Sequence, residues 1–254
     1  METETREYYA YDEVREWPMV YGWSVNPAAP SFKVRIAPEA RVHPSVLLGS
    51  GAAVGAGAII GNDAVVSTSA RIGSKARVGF GAIIGFGAVI GSGAMIGSGA
   101  VVEADAVVED GATIGFDAVV GAGATVGDDA VVGFYAVVKA DAVVRSNAVI
   151  KADAVVGAGA RIGSGAKVGS DAMIGSGALV EDDAVVEDDA VVSTLARIGS
   201  KARVGHGAII GFGAVIGSDA MIGSGAAVGA GATVEDGATI ESDAVIGAGA
   251  VVGA

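Results

Sequence analysis

From Arg35 to Ala254 the apolar positions of this chain recur on a period of six. The frame RIAPEA, RVHPSV, LLGSGA, AVGAGA runs through thirty-six complete hexads and four last residues, Val251–Ala254. The second position is Ile, Val or Leu every time, from Ile36 to Val252. The sixth is Ala in every complete hexad except the one holding Val46, and the third is Gly in twenty-three. Side chains alternate between faces along a strand, so positions six and two point one way and position one points the other way between them. Positions four and five are mostly Ser, Ala, Gly, Asp or Asn, the residues of tight turns. Gly, Asp or Asn at position five suits a backbone with positive φ. Each hexad therefore predicts a short strand and a sharp corner. A fixed short period over this length predicts a solenoid, whose units stack to bury a continuous core.

The order of these residues resembles the hexapeptide-repeat family, in which an aliphatic residue, then Gly, Ala, Glu or Asp, and a small residue four places after the aliphatic recur. The resemblance covers residues 35–254. It implies an all-β fold, a left-handed parallel β-helix of about twelve triangular coils, each made of three hexads. The hand comes from the resemblance alone, since ordinary parallel crossovers are right-handed. The family also implies trimers of parallel prisms and, in its acyltransferases, a histidine general base.

Residues 1–34 are a different text. They hold Trp17, Trp23, Tyr8, Tyr9, Tyr11 and Tyr21, and are expected to form a segment capping the solenoid 35–254. An aromatic ligand-binding patch is the other reading of this stretch. All five prolines lie at or before Pro44, which fits an uninterrupted ladder afterwards. At the other end, the last hexads would leave strand edges open, a template for end-to-end contact with another molecule.

Composition removes several function classes. A net charge of −13 argues against nucleic acid as a partner. Gly, Ser and Asp interrupt every apolar pair, so no membrane span is expected. The first residues lack the basic-then-apolar order of a secretory signal. With no cysteine there is no thiol chemistry and the compartment stays open.

Sorting position one by every third hexad separates three faces. One carries Arg35, Arg71, Arg161 and Arg197; the second carries Arg41, Arg77, Lys167 and Arg203. The third carries Leu47, Val65, Ile83, Val101, Val119, Val137, Val155, Met173, Val191, Ile209, Ala227 and Val245, with no charge among them. Phe80, Phe116, Phe134 and Tyr135 lie at the corner before it. Valine is common in strands whatever it faces. Every position-one Arg and Lys nevertheless lies on another face, so this stripe is expected to be an interface between copies, a parallel trimer by the resemblance.

Candidate chemistry is sparse. His206, in RVGHGA, sits at the corner bordering the apolar face and is the one candidate for a catalytic base. Against it, residues 65–100 and 191–226 are identical except at Ser69/Leu195, Phe80/His206 and Gly93/Asp219, so an aromatic of similar size replaces it in the duplicate. The duplication fits either a copied segment or a sequence composed on a repeat template. His43 is expected to contact the cap. Two histidines cannot supply a three-histidine metal site within one chain. The acidic run Glu181–Asp189 spreads over different corners and does not converge on a cation. Lys139, Arg145 and Lys151 ring one coil at position three, a solvated ring of charge by default. No cofactor and no metal are implied.

Three functions follow. A loop-free solenoid is first expected to be a non-catalytic structural or interaction protein, a rigid oligomerising rod with flat sides. The alternative is a hexapeptide-family acyltransferase using His206 in an intersubunit groove, and the third is a surface-binding solenoid.

Overall fold

The computed structural model describes residues 34–254 and the backbone of Arg6–Tyr8. The expected aromatic cap therefore lies almost wholly outside the described residues. Two compact units make up the chain, Met1–Gly123 and Ala124–Ala254. Both are built the same way, and no helix occurs among the described residues. None is long and apolar enough to cross a membrane.

In the first unit, two-residue strands stack in parallel into three sheets. The apolar face is Leu47–Leu48, Val65–Val66, Ile83–Ile84, Val101–Val102 and Val119–Val120, each paired with the next. A second sheet runs from Arg41–Val42 through Arg77–Val78 to Thr113–Ile114. The remaining sheet runs from Val34–Ile36 through Arg71–Ile72 to Val107–Val108. Arg6–Tyr8 adds to it as an antiparallel strand against Val34–Ile36. In the second unit the apolar face is Val137–Val138, Val155–Val156, Met173–Ile174, Val191–Val192, Ile209–Ile210, Ala227–Val228 and Val245–Ile246. Register is constant: Ile83 pairs with Val101 and Arg197 with Val215, eighteen residues on.

The alternation of position one and position two is seen throughout. Ala at position six and Ile or Val at position two are buried, save at the first and last coils, while position one is exposed or half-exposed. No polar or charged residue is buried, and no buried side-chain N or O atom lacks a partner among the described residues. The ladder and the apolar interior thus meet the two demands of folding, apolar burial and backbone hydrogen bonding, with one motif.

Two features of the corners matter for the site. Position five adopts the left-handed region, as at Asp63 (φ 57°) and Asn147 (φ 60°), but also at the bulky Tyr135 (φ 57°) and Leu195 (φ 59°). Position three is commonly Gly for a reason its turn chemistry does not supply. A Cβ on Gly49 would collide with the backbone N of Thr68 in the next coil.

Candidate functional site

A corner residue at position four directs its N–H out of the ladder, and a carboxylate one coil away takes it. Asp188 Oδ1 accepts from Ser170 N–H (2.8 Å), Asp182 Oδ1 from Ser164 N–H (2.8 Å) and Asp236 Oδ1 from Ser218 N–H (2.7 Å). Glutamates at position three reach the other way. Glu187 Oε2 accepts from His206 N–H at 3.1 Å, and Glu103 Oε2 accepts from Ala122 N–H at 2.9 Å. The acidic run is therefore a set of corner braces, Glu181–Asp183 at one corner and Glu187–Asp189 at the next. Among the described residues no group of three or more His, Cys, Asp and Glu could hold a metal ion.

At the corner of the second unit before the apolar face the run Glu187–Asp189 lies against His206. Its main chain is held by Glu187, whose other oxygen accepts from Arg203 Nη2 at 3.1 Å. The imidazole Nδ1 lies 3.5 Å from Asp189 Oδ2, both side chains being exposed. Next to Asp189, Asp188 accepts a bond from Lys151 Nζ at 3.0 Å. That bond, seconded by the Ser170 N–H, holds the Asp188 carboxyl below its ordinary value. The corner is thus a ladder of paired charge with the histidine ring as its protruding group.

Beside it the surface is concave. A depression of about 310 Å³ is lined by Lys151, Lys167, Gly169, Val185, Glu187, Asp188 and His206. A second, of about 520 Å³, is lined by Arg203, Met221, Ser224, Thr239, Glu241 and Ser242 among others, and Glu187 borders both. The wall here carries a pair of adjoining shallow, open hollows. The long side chains Lys151, Lys167, Glu187 and Arg203 stand above a floor of glycine and valine, and that difference in height makes the relief.

The other sequence-singled residues fall as follows. His43 Nδ1 and Ser45 Oγ are 2.9 Å apart, and any contact of His43 with residues 1–33 lies outside the described residues. In the first unit Leu47, Val65, Val101 and Val119 are half-buried and Ile83 is exposed. In the second, Val137, Val155 and Val191 are half-buried, and Met173, Ile209 and Val245 are exposed. Phe80, Phe116 and Phe134 are exposed at their corners. The ring of Lys139, Arg145 and Lys151 is only partly solvated. Arg145 lies 3.8 Å from Asp182 and Lys151 3.0 Å from Asp188, each bridging two coils. Asp189, the group against the histidine, escaped sequence reasoning. The signal was present, since the EDD of Glu187–Asp189 lies one coil before His206.

The family model for bacterial transferase hexapeptide (six repeats) matches residues 219–254, and that for the GMPPB C-terminal domain matches residues 99–196. No curated protein matches the sequence. Among solved structures the chain is similar to a hexapeptide transferase family protein from Anaplasma phagocytophilum. The identity is 21%, over 48% of this chain and 78% of that one, with a TM-score of 0.45. It is also similar to the Arabidopsis UDP-N-acetylglucosamine acyltransferase, at 18% identity over 77% of this chain and 65% of that one, with a TM-score of 0.46. The UDP-N-acetylglucosamine acyltransferase from Campylobacter jejuni is 19% identical over 81% of this chain and 69% of that one, with a TM-score of 0.32. The matched repeats continue in the same frame back to Arg35, and three of them close each coil. On that repeat and that coil, each unit of the chain is a parallel β-helix built on the hexapeptide repeat.

Proposed function

We propose that the corner around His206 is an acyl-transfer site, with His206 as general base and Asp189 as the group that orients it. The observation that carries this reading is the 3.5 Å approach of Asp189 Oδ2 to His206 Nδ1 at the rim of a concavity. A carboxylate on that side favours the tautomer with its proton on Nδ1 and leaves the Nε2 lone pair facing outward. The distance is longer than a formed hydrogen bond, as is common at sites without substrate. The transferase description of the matching repeats accords with this reading.

The chemistry follows from those positions. His206 Nε2 takes the proton from an amine or hydroxyl acceptor as its N or O attacks the carbonyl carbon of a thioester. The C–N or C–O bond forms, the C–S bond breaks, and the imidazolium returns the proton to the leaving thiolate. Asp189 stabilises the transient imidazolium, and Glu187 fixes the main chain from which the ring projects. The test is release of free thiol from acetyl-CoA in the presence of amine and hydroxyl acceptors. Replacement of His206 by Phe should lower the rate by about 10²–10⁴-fold with the fold intact. An unchanged rate in His206→Phe would overturn the assignment.

A non-catalytic scaffold is the second reading. It is favoured by one observation: the hexad runs through residues 35–254 without an extruded loop to roof the concavity. Absence of both thiol release and acyl-CoA binding would select it.

A further inference from the structure

From Gly205 to Ala208 the main-chain donors of the His206 corner are all engaged. Gly205 N–H donates to Ile222 O at 2.8 Å and Gly207 N–H to Asp188 O at 3.1 Å. His206 N–H goes to Glu187 Oε2, and Ala208 N–H turns back to Gly205 O at 3.1 Å. The N–H of Asp188, one coil before, stands beside its own carboxylate, whose field opposes a second negative charge. The cations around the histidine are committed in the same way, with one exception. Lys151, in the hollow beside His206, donates to Asp188 at 3.0 Å. Arg203, in the adjoining hollow, donates to Glu187. Lys167 is exposed and has no ion-pair partner among the described residues. It heads the strand Lys167–Val168, in register with Val185 and through it with Arg203. Its backbone is thus two coils, about 10 Å, from that of Arg203, and its side chain lines the same hollow as the imidazole. That hollow offers a base and one uncommitted positive charge over a floor that includes Val185 and Gly169.

We propose that Lys167 is the oxyanion donor of the acyl transfer, a catalytic side chain standing where the corner has no backbone N–H to give. The inference rests on the acyl-transfer reading of His206. As the acceptor N or O attacks the thioester carbon, the C=O π pair moves onto oxygen, and the tetrahedral intermediate carries its negative charge there. The acceptor proton is then on His206. The Lys167 ammonium donates a hydrogen bond to the oxyanion and keeps its own proton. When the pair returns to re-form C=O, the C–S bond breaks and the leaving thiolate takes the proton from the imidazolium. A charge-assisted bond strengthens as the charge on oxygen develops, so it acts on the transition state more than on bound substrate. Lys151 and Arg203 would each have to leave a carboxylate to do the same, and Lys167 gives up no ion pair among the described residues.

The test is the kcat and KM of the full chain for thiol release from acetyl-CoA, with ethanolamine among the amine and hydroxyl acceptors and circular dichroism to confirm folding. Lys167→Gln should lower kcat by about 10²–10³-fold with little change in KM. Lys167→Arg, which keeps a cationic donor, should lose less. The same fall in kcat should appear with S-acetyl-N-acetylcysteamine, a thioester without the phosphates of CoA. An unchanged kcat in Lys167→Gln, an effect on KM alone, an effect confined to acetyl-CoA, or equal losses in the Gln and Arg variants would each overturn the proposal. If His206→Phe abolishes turnover and Lys167→Gln does not, the oxyanion assignment alone fails. A parent without thiol release overturns the acyl-transfer reading and this proposal together.

Discussion

Residues 65–100 and 191–226 are the same text in two units, and only the second sets a histidine in the aromatic row at the corner. Ile84 and Ile210 are both fully buried, and Phe86 and Phe212 are both exposed at equivalent corners. Phe80, in the first copy, is exposed over an Asn62 and an Asp63 that belong to the preceding coil. His206, in the second, meets Glu187 and Asp189, and Asp188 is engaged by Lys151. Glu187 stands where the first copy has Gly61, and Asp188 where it has Asn62. The core is thus indifferent to which copy it serves. The contacts of the corner depend on the coil before the duplicated segment as much as on the segment itself.

The largest expected effect comes from making one copy like the other. His206→Phe should remove about 10²–10⁴-fold of any acyl-transfer rate while leaving the denaturation midpoint within error. Phe80→His sets an imidazole one coil from Asp63, the equivalent of Asp189, but Gly61 offers no carboxylate to hold its main chain as Glu187 holds that of His206, so any thiol release should stay well below the parent rate; a rate equal to the parent's would break the comparison. Next in size is the core. Ile84→Ala and Ile210→Ala should each destabilise by about 2–5 kcal/mol, and equally within each unit's own denaturant transition. A marked inequality would show that the two copies are not energetically alike.

Smaller effects sharpen the contrast at the corners. Leu195 holds a left-handed φ where the first copy has Ser69. Leu195→Gly should stabilise by about 1 kcal/mol, seen as a rise in denaturant midpoint. The smallest effect is the pH dependence of Asp188. Its folded-state pKa is lowered, chiefly by the Lys151 bond and then by the Ser170 N–H. The stability it contributes is therefore complete above the ordinary carboxylate value of about 3.9 and fades as pH falls through the lowered one. The side chain is about half exposed, so the contribution is no more than about 1 kcal/mol. Asp188→Asn, which copies Asn62, should lose stability at pH 7 and flatten the acid limb of a stability–pH curve. An unchanged acid limb would deny the pair that role.

Much of this fold was legible in the sequence because its two inward positions are chemically monotonous. Ile or Val at position two and Ala at position six admit one alternation, and the burial of Ala82, Ile84, Ala208 and Ile210 follows it. Asp63 and Asn147 likewise announced the left-handed corners. Position three was legible as glycine but not as the reason for glycine, since the encounter of a Gly49 Cβ with Thr68 exists only between stacked coils. The site was half legible. His206 stood out as a polar residue in an aromatic row, but Asp189 was hidden in an acidic run. Its role needed the coil height at which position five of one hexad comes level with position four of the next coil. The hollows escaped because they arise from side-chain lengths over a glycine floor, which a pattern of inward and outward positions does not record.

The constant register, Ile83 on Val101 and Arg197 on Val215, has a consequence for how such a gene can change. Within one unit, loss or gain of six residues leaves every inward position inward, so the interior does not register the accident. It nevertheless turns everything downstream by a third of a revolution. Removing one hexad between Asp189 and His206 would carry the histidine to a different wall from its carboxylate. Only changes of eighteen residues, or multiples such as the 126 separating the two copies, keep both interior and surface in place. Mutation in this molecule therefore has two clocks, one on which folding forgives slippage and a threefold slower one on which a site can be inherited.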